Sequence, residues 1–302
     1  MVIIKSKIMK IKNYIIYCLL VLPLLWGCSE YEDYVEDYDY SAVYFGTQKP
    51  LRTVVARDVM QFKFGVALGG KRENTVSETA KYVIDPNLLQ TVEGADQFTL
   101  LPTDYYTLSD DGEFVVSAGE FIGDVTLTLD KALFTADPDA VANTYALPVR
   151  VTEATTDTVL AGMDYSIIVV KYISPYHGTY YSKGVEYELD GTGTQVNSVV
   201  FSNKDLSKNM TKDFSTLALN TISTDKISAA TNGQIDLTVG TDNSVEITTT
   251  AVDVSENNSV YDSESKTFFL DYKFEKSGTL YHTLDTLILR QDPEADLRFE
   301  EW

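Results

Sequence analysis

The sequence predicts an all-β protein of two units, an N-terminal immunoglobulin-like β-sandwich followed by a C-terminal lipocalin-like β-barrel, with a second β-sandwich as the alternative for the latter. Three observations predict it. Short runs that alternate apolar and polar residues recur from Ser41 onward, the pattern of half-buried strands. No long segment with a 3.6-residue apolar period competes with them. The chain has 302 residues, against a usual domain size of roughly 150.

The first element is a leader. Lys5, Lys7, Lys10 and Lys12 precede an apolar run from Tyr14 to Trp26, broken by Pro23. That run is shorter than the roughly 20 residues of a permanent membrane helix and reads as a signal sequence over residues 1–27. It ends in Leu25-Trp26-Gly27-Cys28, which resembles the bacterial lipobox and implies lipid attachment at Cys28. The other cysteine, Cys18, lies inside the segment to be removed, so Cys28 has no disulfide partner. Residues 28–40 are acidic, with Glu30, Glu32, Asp33, Glu36, Asp37 and Asp39 among few aliphatics, and are expected to form a tether. An acidic run after a lipid cysteine resembles the surface-export signal of Bacteroidetes lipoproteins. That implies an outer-membrane anchor with the folded units outside the cell; a plain linker on the periplasmic side is the other reading.

The sandwich is expected over residues 41–173. Met60, Phe62, Phe64, Val66 and Leu68 share one face, as do Val125, Leu127 and Leu129, and Tyr145, Leu147, Val149 and Val151. Further strands are expected at Ser41–Gly46, Lys81–Ile84, Tyr105–Leu108, Glu113–Ser117 and Tyr165–Tyr172. Asp85-Pro86-Asn87 supplies a helix start before Leu88, Leu89 and Val92, and Gly94 stops it. Asp110-Asp111-Gly112 reads as a turn, since no further carboxylates follow at the spacing of a calcium loop. Tyr82 to Leu89, Leu101-Pro102-Thr103-Asp104-Tyr105-Tyr106-Thr107-Leu108, Ser117-Ala118-Gly119-Glu120 and Tyr145-Ala146-Leu147-Pro148-Val149, taken in order, resemble a Bacteroidetes domain family. Its members sit at the N-terminus of surface lipoproteins encoded with polysaccharide-utilisation systems, ahead of glycan-binding modules and sometimes glycoside hydrolases. The resemblance implies a spacer sandwich and no catalytic residues.

Ile173-Ser174-Pro175 closes the last strand, and residues 174–302 are expected as the barrel. Strands are expected from Tyr176 to Tyr181 and at Val196–Phe201, Phe214–Leu219, Gln234–Val239, Ser244–Ala251, Lys266–Glu275 and Thr279–Arg290. Phe268, Leu270, Tyr272 and Phe274 mark one core face, and Lys276-Ser277-Gly278 is expected to turn the chain into a partner face of Leu280, His282, Leu284 and Ile288. The opening Pro175-Tyr176-His177-Gly178-Thr179-Tyr180-Tyr181 and the closing Asp285 to Arg290 and Leu297 to Trp302 resemble the C-terminal domain often paired with the family above.

Chemistry is sparse. Lys+Arg 24 against Asp+Glu 45 gives a formal charge of -21, which repels polyanions and excludes nucleic acid as a partner. His177 and His282 are the only histidines, and neither accompanies a nucleophile elbow. Glu300 and Glu301 are adjacent on a tail and do not form the facing carboxylates of a glycosidase. No catalytic residue, metal or cofactor is expected. Sugar binding needs flat aromatic faces, and Tyr180, Tyr181, Tyr187, Tyr261, Tyr281 and Trp302 are the candidate platforms, with Trp302 equally placed to cap the barrel. Asp157-Thr158-Val159 and Asp285-Thr286-Leu287 resemble the O-glycosylation acceptor pattern of Bacteroidetes. The expected role is a non-enzymatic surface accessory protein that binds glycan or glycoprotein, with outer-membrane transport proteins as partners. A structural or protein-interaction subunit without sugar binding is the alternative.

Overall fold

The computed structural model describes residues 40–228 and 231–302. The leader, Cys28 and all of the acidic tether before Tyr40 lie outside the described residues. The described chain is nearly all β, and its strands form the expected sandwich and a nearly closed barrel.

One sheet of the sandwich has five strands, in the order Thr158–Val159, Ala42–Tyr44, Gln61–Gly69, Ile122–Leu129 and Tyr106–Leu108. The other runs Glu300–Glu301, Pro50–Val55, Tyr165–Ile173, Tyr145–Ala154, Glu78–Ile84 and Glu113–Val116, with Thr99–Leu100 beside Tyr145–Ala154. Period-two patterning places Met60, Phe64, Val66, Leu68, Val125, Leu127, Leu129, Leu147 and Val149 between them. Tyr82 and Phe114 stack at 4.4 Å in the middle, and Phe45 and Phe64 meet Phe114 edge-on. Asp110-Asp111-Gly112 links strands of different sheets, so the turn is the corner of the sandwich rather than a hairpin.

The strand Pro50–Val55 has no counterpart in the sequence expectation. Its burial does not alternate, because residues on both faces are covered. It pairs in parallel with Tyr165–Ile173, whose own faces are both buried. The second face of this sheet carries Leu51, Ala146, Ile167 and Val169 and is roofed by Leu88, Leu89, Ala95 and Phe98. The expected short helix therefore forms, at Leu88–Thr91, and packs outside the sandwich core. The Asp85 carboxylate accepts the Asn87 amide hydrogen bond at its start, and Gly94 follows it at φ +80°.

The barrel belongs to a ten-stranded sheet. Its wall runs Val245–Thr248, Asn232–Val239, Thr221–Lys226, Met210–Ala218, Gly178–Leu189, Thr279–Leu289, Thr267–Lys276 and Asp253–Asn257. The Val245 amide donates to the Ser259 carbonyl at 2.9 Å, the Tyr261 amide donates to the Asn243 carbonyl, and Ser244 bridges Val260, so the two ends of the wall meet. Inside pack Tyr180, Phe214, Ile222, Ile235, Leu237, Phe268, Leu270, Tyr272, Phe274 and Leu287.

One expected face is reversed. Ser277 and Gly278, at φ +53° and +80°, make a two-residue turn that pairs Lys276 with Thr279. This register sets Phe274 opposite Tyr281, Tyr272 opposite Thr283, Leu270 opposite Asp285 and Phe268 opposite Leu287. Thr283, Asp285 and Leu287 therefore face the interior, whereas Leu280, His282, Leu284 and Ile288 face outward. The apolar alternation of the last strand marks its outer face, because the turn rather than the hydrophobic count sets the register.

Gly184 lies opposite Asp285 on the neighbouring strand, and a Cβ there would stand 1.9 Å from the Leu284 carbonyl oxygen. Gly184→Ala must push two wall strands apart. Chemical denaturation is expected to show a loss of about 3 kcal/mol or more, the upper range of overpacking; an unchanged midpoint would contradict this packing.

Candidate functional site

Sandwich and barrel are joined at both ends of the barrel. At the first joint Ser174 is fully buried, its amide donating to Thr216 Oγ1 at 2.9 Å and its hydroxyl to the Leu219 carbonyl at 2.8 Å. Its own carbonyl accepts from the His177 amide, and Leu219 packs against the sandwich core. At the second joint the chain leaves the barrel at Leu289, makes the one-turn helix Pro293–Asp296 and returns to the sandwich. There Glu300–Glu301 adds an antiparallel strand to Pro50–Leu51. Trp302 Nε1 donates to the Ile167 carbonyl at 2.7 Å, its ring meets Phe98 edge-on at 4.8 Å, and Lys49 Nζ lies 4.6 Å above it.

Asp292 ties three parts together. Its carboxylate accepts Arg57 Nη2 at 2.5 Å from the sandwich and Lys266 Nζ at 2.8 Å from a barrel hairpin, and it also takes the Glu294 amide. Arg57 Nη1 donates to Glu294 at 2.8 Å.

Between the two joints lies a cleft of about 360 Å³. Thr53, Lys171 and Ile173 of the sandwich form one wall, and His177, Thr179, Asp213 and Ser215 of the barrel form the facing one. The returning segment closes the third side with Asp296, Arg298 and Glu300. Strand pleat aims these groups, since Lys171 and Ile173 are alternate residues of one strand and Asp213 and Ser215 of another. Thr179 Oγ1 donates to Asp213 Oδ1 at 2.6 Å. Burial, followed by the nearby Lys171 ammonium, holds the His177 imidazole below its usual range against the opposing pull of Asp296. The Thr216 hydroxyl, which accepts from the Ser174 amide, lies 3.3 Å from His177 Nδ1. The cleft thus sets ammonium and guanidinium donors beside carboxylate acceptors and hydroxyls. Such a surface suits a polyhydroxylated ligand.

The sequence-predicted platforms are not brought together. Tyr180 and Tyr261 are core residues: Tyr180 donates to the Tyr176 carbonyl and packs on Phe214 and Phe268, and Tyr261 packs edge-on against Tyr176 at 4.9 Å. Tyr281 faces inward and stacks on Phe274 at 5.3 Å. Tyr181 and Tyr187 are half-buried on the outer wall, Tyr187 beside His282 at 6.0 Å. Trp302 covers the sandwich, not the barrel. Of the acceptor patterns, Asp285-Thr286-Leu287 has two of its three side chains inside the barrel, and Asp157 is taken by the Ser41 amide and hydroxyl. Glu300 and Glu301 are successive residues of one strand and project to opposite faces. The sequence reading missed Lys171, Asp213, Asp296 and Arg298, which come from three distant stretches and share no local pattern.

A family model described as an N-terminal domain matches residues 38–158, and a companion described as C-terminal matches residues 165–288. A crystal structure of a protein of unknown function from Bacteroides ovatus superposes with a TM-score of 0.69 at 19% identity, covering 87% of this chain and 99% of that one. The chain belongs to this two-domain Bacteroidetes family. More distant likenesses include a Bacteroides ovatus protein provisionally named as carbohydrate-binding, with a TM-score of 0.34 at 12% identity over 82% of this chain and 79% of that one. The Bacteroides thetaiotaomicron endoglycosidase EndoBT-3987, crystallised with its Man5GlcNAc product, matches at 26% identity and a TM-score of 0.31 over 40% of this chain and 28% of the enzyme. No curated protein matches the chain.

The Asp292 junction titrates. Lys266 first, with Arg57 and the Glu294 amide, draws its carboxyl from the usual 3.8 down to about 2 against a partial burial that opposes them. A depressed carboxyl contributes stability that is complete above its unfolded value and is lost as pH falls from about 4 towards 2. Wild type is therefore expected to lose more melting temperature than Asp292→Asn between pH 5 and pH 2.5, by a small margin because the groups are partly exposed. Parallel acid profiles would rule the junction out.

Proposed function

We propose that the chain is a non-enzymatic accessory protein of the cell surface, lipid-anchored at Cys28, that binds glycan or glycoprotein in the cleft between sandwich and barrel for a polysaccharide-utilisation system. The observation that carries this reading is the cleft itself. Lys171, Arg298, Asp213, Asp296 and Glu300 surround a space of about 360 Å³ with mixed donors and acceptors, the complement of vicinal hydroxyls. Its aromatic residues are Phe214, which is buried, and His177, so recognition rests on hydrogen bonds rather than on stacking. The leader and acidic tether support placement at the outer membrane, where a transport protein receives the glycan.

A second reading, a protein-interaction subunit, is favoured by one surface. On the outer barrel wall Val200, Val185 and Leu284 are register neighbours in one row, and Phe269 and Val260 pair in the next. Val200 is 69% exposed and Phe269 44%.

The test is affinity electrophoresis and calorimetry of residues 41–302 against a broad panel of polysaccharides and mucin glycans. Binding is expected, weakened about tenfold by Arg298→Ala or Asp296→Ala, since a hydrogen bond to a charged group is worth about 1.5–3 kcal/mol. The same binding should be unaffected by Phe269→Ala. Silence across the panel, together with an outer-membrane protein that co-purifies with wild type and is lost in Phe269→Ser, would transfer the role to the outer wall.

A further inference from the structure

The barrel interior holds an ion pair that the cleft does not use. Lys212 Nζ lies 3.0 Å from Asp285 Oδ2, with the two side chains 1% and 0% exposed. Lys212 sits on Met210–Ala218 and Asp285 on Thr279–Leu289, and the strand Gly178–Leu189 runs between them. The lysine reaches across that strand from the row of Tyr180 to the row of Gly184. Ser182 Oγ, from the same intervening strand, lies 2.8 Å and 3.0 Å from the two oxygens of Asp285. Lys212 Nζ also donates to the Ile227 carbonyl at 3.4 Å, which accepts the Tyr272 hydroxyl as well. Leu270 pairs with Asp285, buried Phe268 and Leu287 lie in the row on one side, and buried Tyr272, Thr283 and Glu186 lie in the row on the other.

We propose that Lys212 and Asp285 condense to an intramolecular isopeptide bond. The amine and carboxyl are already in contact, held by hydrogen bonds in a water-poor interior, which supplies the proximity term of an intramolecular reaction. Proton transfer from Nζ to Oδ2 within this contact gives a neutral amine and a neutral acid. Nζ then attacks Cγ. The Nζ–Cγ bond forms, the Cγ–Oδ2 bond breaks, and the departing hydroxyl takes one amine proton through the Ser182 hydroxyl, leaving as water. An ammonium and a carboxylate become one neutral amide plus one water, with no oxidant, metal or cofactor required. The product removes two buried charges and links two strands that are not neighbours.

The test is the intact mass of the full chain under denaturing conditions, compared with Lys212→Met and Asp285→Ala so that processing at the N-terminus cancels. Wild type is expected to be lighter, by one water, than the sequence differences predict. Proteolysis and tandem mass spectrometry are expected to recover a branched peptide joining Lys212 to Asp285. That peptide is sought in wild type, so the result stands even if a variant fails to fold. A wild type without the deficit overturns the proposal and leaves a buried ion pair. A deficit that maps to an aspartyl succinimide at Asp111-Gly112 or Asp190-Gly191 overturns it equally.

Discussion

The cleft depends on a double attachment. A barrel tethered to a sandwich at one point would leave the space between them undefined. Here Ser174 fixes the entry of the chain into the barrel through its amide, hydroxyl and carbonyl. The residues after Leu289 then fix the exit by adding a strand and a tryptophan to the sandwich. The same returning segment contributes Asp296, Arg298 and Glu300 to the cleft wall, so a single stretch both clamps the two units and furnishes polar groups. Since inter-domain contacts of ordinary size leave relative motion as the default, this second anchorage gives the cleft a defined width.

Within the barrel, register decides chemistry. A two-residue turn at Ser277 and Gly278 leaves no freedom in how the last two long strands pair, and the pairing carries Thr283 and Asp285 inward. Once inside, a carboxylate needs a partner, because an unpaired buried charge is far more costly than a paired one. Lys212 supplies it from two strands away, and Thr283 Oγ1 lies 3.1 Å from Glu186 Oε2 in the next layer. The interior is therefore apolar toward Phe268 and Phe274 and polar around Ser182, Glu186, Lys212, Thr283 and Asp285.

Much of the fold was legible because alternation reports burial on one face. Met60 to Leu68, Val125 to Leu129 and Phe268 to Phe274 all lie where that pattern placed them. It failed where both faces are covered, as in Pro50–Val55, and where the outer wall is itself apolar, as with Leu280, Leu284 and Ile288. The site was nearly illegible. Aromatic count pointed to Tyr180 and Tyr261, yet a tyrosine in an alternating strand is first a core residue whose hydroxyl finds a carbonyl, as Tyr180 does at Tyr176. The cleft groups lie far apart in sequence and meet only because the chain comes back on itself.

That return also imposes an order in time. Thr47 donates to Glu301 across 254 residues of sequence. Leu51, Ala146, Ile167 and Val169 gain the last part of their cover from Trp302, at the far end of the chain. When the chain is delivered N-terminus first, the sandwich can assemble its inner core early, while its outer sheet edge and part of its second apolar face wait for the barrel to emerge. The uncovered edge strand Pro50–Val55 is a template for pairing with another chain during that interval. The pace of chain delivery and holding factors, rather than equilibrium stability alone, then govern how much of the protein reaches its folded state.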